Sequence, residues 1–91
     1  MGKFAFLFFR NLQDTFCVEY LRHQKGIDKF GCKLKSIRVS RSISQEKLAN
    51  DCNVEISQIS RIERGVVNTS VSMVYTLAEK LNIEPLEFFK E

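Results

Sequence analysis

Apolar residues recur along this chain at intervals of three and four, the spacing that places side chains on one face of an α-helix. Phe30, Leu34 and Ile37 form one such set, Leu48 and Cys52 a second, Ile59 and Ile62 a third. Val74, Leu77, Ala78 and Leu81 form a fourth. Punctuating residues divide these sets. Asp28 is a cap for a helix over 29–41, and Ser44 is a cap for a short helix over 45–51, whose first turn carries an acidic Glu46 suited to the helix dipole. Asn53 tolerates the left-handed conformation that ends a helix, so the next helix runs over 56–64 and stops at Gly65. Thr69 or Ser70 opens a helix to residue 81, closed by Asn82, and Pro85 opens a last one over 86–90. Phe88 and Phe89 are adjacent and cannot both face one core, which leaves one for a subunit contact. Gly31 is a weak point in its helix, costing about 1 kcal/mol relative to Ala. The pattern is all-α, with five helices over 27–91.

The two short helices around Asn53 carry the informative chemistry. Leu48, Cys52, Val54, Ile59 and Ile62 point inward, and the small Ala49 permits a close crossing. The outward face of the second helix then holds Ser57, Gln58, Ser60, Arg61 and Arg64. These are short or planar hydrogen-bonding groups with positive charge and no apolar bulk, which is what a helix entering the DNA major groove requires. Ser57, Gln58 and Arg61 are the candidate base-reading residues, because Arg suits guanine and Gln suits adenine by bidentate geometry. Ile56 is placed to touch a thymine methyl group. Gln45, with the free N–H groups of its helix, is a candidate phosphate ligand. Arg64, Asn68, Thr69 and Ser70 are further phosphate candidates.

The segment S-Q-E-K-L-A followed by I-S-Q-I-S-R-I-E-R-G resembles the helix-turn-helix of the Cro and phage-repressor (XRE-like) regulators, over about residues 30–89. The resemblance implies a five-helix repressor-like DNA-binding domain that acts on duplex DNA as a dimer. It also implies that Arg38 pairs with the glutamate of E-R-G, Glu63, in a mostly buried ion pair joining the first helix to the recognition helix. The chain departs from the family at Glu55, where Ser or Thr usually caps the recognition helix. A carboxylate also accepts from first-turn N–H groups, but it repels a nearby phosphate.

Length and composition sharpen this picture in places. Ninety-one residues, 44% of them apolar and 27% charged, suit one modest core. The net charge is +3, and it is uneven. Residues 31–65 hold seven Lys/Arg against four Asp/Glu, whereas residues 66–91 hold two against four. The positive excess therefore lies with the candidate DNA-reading helices. Cys17, Cys32 and Cys52 are an odd number at wide spacing, and His23 is the single histidine, so neither a metal centre nor a disulfide framework is expected. With no Gly-rich phosphate loop and no nucleophile–base spacing, the chain is not expected to be an enzyme or to need a cofactor.

Residues 1–26 stand apart as an N-terminal extension. Residues 4–9, F-A-F-L-F-F, are too short to span a bilayer and are followed by Arg10 with no small-residue cleavage pattern, so a secreted or membrane protein is not expected. Phe6 stands where a myristoylation signal needs Ser or Thr. From Arg10 the spacing of Leu12, Phe16 and Tyr20, with Val18 and Leu21 alongside, predicts a helix ending at Gly26. So many rings mark the extension as a candidate dimerisation element, the larger contributor ahead of Leu86, Phe88 and Phe89. The expected function is a cytoplasmic, sequence-specific transcriptional regulator acting as a homodimer on a two-fold operator. The alternatives are an antitoxin, which would add a protein toxin as partner, and a restriction–modification controller.

Overall fold

A computed structural model describes residues 21–90 as four α-helices and a closing turn of 3-10 helix. In chain order they are α1 (Gln24–Ser40), α2 (Gln45–Cys52), α3 (Ile56–Glu63), α4 (Val71–Leu81) and the 3-10 helix Pro85–Phe89. The described residues contain no strand. Residues 1–20 of the expected extension, 1–26, lie outside the described residues.

Local chemistry sets most of the boundaries. Ser44 Oγ accepts from the Lys47 N–H at 3.0 Å, and Ser70 Oγ from the Met73 N–H at 3.2 Å, so each caps its helix through the third residue on. Asn53 and Asn82 end α2 and α4 in the left-handed conformation, both at φ 61°. Gly65, at φ 74°, releases the chain from α3. The final element is 3-10 rather than α, as befits five residues begun by a proline.

The start of α1 differs from the sequence expectation. Its N-cap is His23, whose Nδ1 accepts from the Gly26 N–H at 2.9 Å, and Gly26 lies inside the helix. Residues 21–23 are not helical, so no helix ends at Gly26. Asp28 is not a cap. Its carboxylate accepts from the Gln24 amide at 2.9 Å, one turn earlier, and that amide also donates to the Gly65 carbonyl at 2.9 Å. A side chain held this way gives α1 an extra turn that periodicity does not announce.

The core is one cluster: Phe30 and Leu34 from α1, Leu48, Ala49 and Cys52 from α2, Ile59 and Ile62 from α3, Leu77, Ala78 and Leu81 from α4, and Phe88. Phe88 is buried against Phe30, with ring centroids 4.9 Å apart and planes at 70°. Phe89 stays 60% exposed and stacks on the outer side of Phe30. Gly31 is more than a weak helical residue. A Cβ there would overlap the Ile62 carbonyl oxygen and lie 2.9 Å from that of Glu63. It is the point where the backbones of α1 and α3 meet, and only glycine fits.

Candidate nucleic-acid interface

The helix-turn-helix is α2, the left-handed Asn53, and α3. Ile59 and Ile62 are buried, which turns the opposite face of α3 to solvent. On that face Ser57, Arg61 and Arg64 are exposed, Ile56 is 48% exposed, and Gln58 and Ser60 are half-buried. Arg64 Nε donates to Ser60 Oγ at 3.2 Å, one turn back. Arg61 has no acidic partner among the described residues. A guanidinium left unpaired on an exposed helical face is free for a planar acceptor.

Beneath this face α3 is clamped by charge. Arg38 Nε donates to Glu63 Oε2 at 2.6 Å and Nη2 donates to Oε1 at 3.1 Å, a bidentate pair with side chains 10% and 3% exposed. Arg38 Nη1 also donates to the Ile43 carbonyl at 2.8 Å. The Gln45 amide donates to Glu63 Oε1 at 2.9 Å. Glu63 therefore ties α1, the α1–α2 turn, the start of α2 and the end of α3 into one unit. Buried charges satisfied in this way define orientation more than they add net stability. The Gln45 amide is committed to Glu63, so a phosphate at the amino end of α2 would be met by its remaining N–H and by the helix backbone.

The carboxyl end of α3 has a second clamp that the apolar spacing does not announce. Arg22 Nη2 donates to the Val66 carbonyl at 3.0 Å, and the Gln24 amide donates to that of Gly65. Asn68 Nδ2 returns a bond to the Leu21 carbonyl at 3.2 Å. No periodic signal marks Arg22 or Gln24, because both act through backbone carbonyls of a distant loop. Arg41 donates to the Leu81 carbonyl and joins the end of α1 to the end of α4.

The remaining phosphate candidates fare unequally. Ser70 Oγ is the α4 cap, with its own hydrogen still free to donate. Asn68 is shared with Leu21. Thr69 Oγ1 is buried without a partner, so its hydroxyl is not at the surface. Glu55, a candidate cap by chemistry, makes no side-chain cap bond. Elsewhere, burial first and the Asp51 carboxylate second push the Cys52 thiol up, against a smaller opposing effect of Lys80. Among the described residues no three His, Cys, Asp or Glu side chains are grouped to hold a metal, and no helix is long and apolar enough to cross a membrane.

Comparison with known proteins matches residues 34–88 to the helix-turn-helix family model HTH_3. The chain is 42% identical over 57 residues to control protein C.BamHI of Bacillus amyloliquefaciens, covering 62% of this chain and 70% of that one. The fold is similar to the restriction-modification controller protein C.AhdI of Aeromonas hydrophila, with TM-score 0.69 and 37% identity over 71% of this chain and 98% of that one. It is also similar to the controller C.Esp1396I, solved as a tetramer in complex with its natural 35 base-pair operator, with TM-score 0.68, 27% identity, and 74% and 88% of the two chains covered.

Proposed function

This chain belongs to the helix-turn-helix family HTH_3 and is a DNA-binding transcriptional regulator; on that premise we propose that it is a restriction–modification controller acting in the cytoplasm. It binds a two-fold operator as a dimer and works by binding, without catalysis. The observation that carries the reading is the outward face of α3: hydrogen-bonding side chains and an unpaired Arg61 on a helix fixed from below by the Arg38–Glu63 pair. Ser57, Gln58 and Arg61 meet base edges, and Ile56 meets a thymine methyl. Arg64, Ser70, Asn68 and the amino end of α2 at Gln45 meet phosphates, which set register rather than sequence.

Two relatives above 35% identity, a control protein and a restriction-modification controller, favour this assignment over the antitoxin alternative. The operator complex of C.Esp1396I supports assembly of more than one copy on DNA. One recognition helix reads only a few base pairs, and a two-fold dimer places two of them about 34 Å apart, one turn of DNA. Selection of bound sites from random duplex DNA tests the reading. It should return two inverted half-sites with centres about one turn apart, and such a site should lie ahead of methyltransferase or endonuclease genes. Recovery of no enriched sequence, or of one without two-fold symmetry, would contradict it.

A further inference from the structure

Glu55 sits at the leading end of α3, in extended backbone at φ −71° and ψ 147°, and its side chain caps nothing. The serines at the starts of α2 and α4 both accept a first-turn N–H, so the uncommitted state of Glu55 is not a general feature of these caps. Among the other acids, Asp51 pairs with Lys47 at 3.2 Å, Glu63 with Arg38 and Glu87 with Lys90 at 2.9 Å, while Glu46, Glu79 and Glu84, like Glu55, have no ion pair among the described residues but lie away from the outward face of α3. Glu55 is exposed, with no ion pair among the described residues. It is next to Ile56 and Ser57, the first residues of the face assigned to DNA.

A recognition helix enters the major groove with its amino-terminal residues toward the base edges. A carboxylate carried there meets mostly acceptors: phosphate oxygens, N7 and O6 of guanine, N7 of adenine, O4 of thymine. Each repels it, and a carboxylate desolvated without a donor is costly. Only the exocyclic amines donate in this groove, and the amine of cytosine is the established match for an acidic side chain. Resting on the DNA-reading function given above, we propose that Glu55 is a specificity-determining residue that accepts a hydrogen bond from the N4 amine of a cytosine in each half-site. The same charge rejects guanine and thymine at that position and weakens binding to unrelated duplex. Leaving the carboxylate free of the helix cap keeps it available for the base.

The experiment selects sites from random duplex DNA with the full chain and with Glu55→Gln, which keeps shape and removes charge at an exposed position. The wild-type chain should require cytosine at one position per half-site by about tenfold, the effect of one good base contact. Glu55→Gln should lose that preference, keep the others, and bind random duplex more tightly. A second measurement places N4-methylcytosine at the selected position, replacing the groove-facing hydrogen with a methyl group. Wild-type affinity should fall about as far as with a wrong base. A selected site whose profile Glu55→Gln leaves unchanged, or wild-type binding indifferent to N4-methylation, overturns the inference alone. Adenine at the Glu55-dependent position overturns the assignment to cytosine. A wild-type chain that selects no duplex at all overturns the DNA-reading function with it.

Discussion

Two arginines of this chain have opposite surroundings. Arg38 is buried in a bidentate pair, whereas Arg61 extends from α3 with no acidic partner among the described residues. Their substitutions should therefore fail differently. Arg61→Ala removes no side-chain bond among the described residues, so it should leave the melting temperature nearly unchanged. It should cost roughly 1–3 kcal/mol on the chosen site and relax preference at about one base pair. Equal loss on specific and random duplex would make Arg61 a phosphate contact instead. Glu63→Ala leaves the Arg38 guanidinium and the Gln45 amide facing an empty site. It should lower unfolding free energy by about 3–5 kcal/mol, read by chemical denaturation. An unchanged midpoint would show that the Arg38–Glu63 contact contributes nothing in solution.

At the scale of elements, the contact between α1 and α3 depends on a missing side chain. Gly31→Ala should raise helix propensity by about 1 kcal/mol, yet the added Cβ meets backbone oxygens that cannot rotate away. Overpacking of this kind costs about 1–3 kcal/mol, so the net effect on thermal stability should be a loss. A rise in melting temperature would mean that α1 and α3 slide apart freely. This crossing also marks what was legible in the sequence. The inward positions of α2, α3 and α4 follow from their spacing, and Ser44, Asn53, Gly65, Ser70 and Asn82 carry their boundary signals in their own chemistry. Gly31 reads only as a weak helical residue, because its reason lies on another helix. The first turn of α1 is silent for the same reason: His23, Gln24 and Arg22 act on one backbone N–H and on carbonyls about forty residues away. The candidate site was legible where exposure follows from helix phase, as for Ser57 and Arg61. It was not legible where a side chain turns back into the fold, as for Thr69.

On the proposed dimeric reading two α3 helices meet one duplex, and a two-fold dimer needs a self-complementary surface away from them. Val71 and Tyr75 lie one turn apart on α4, exposed at 71% and 61%. The phenylalanines of residues 4–9, the candidate favoured from the sequence, lie outside the described residues; of its rival, Leu86 and Phe89 are exposed and Phe88 is buried. Val71→Asp combined with Tyr75→Asp should give a folded monomer by sedimentation if α4 forms the interface. A dimer that survives these changes places the interface elsewhere, on the N-terminal extension or on the exposed Leu86 and Phe89. Binding to DNA rests on charge as well as shape, since the Lys/Arg excess is concentrated in residues 31–65. Titration of the full chain against its selected duplex at several salt concentrations tests this most directly. Log K should fall linearly with log salt, by about 0.9 for each phosphate neutralised, with the selected site bound more tightly than random duplex throughout. Absence of binding at low salt to any duplex, the selected pool included, would contradict the account.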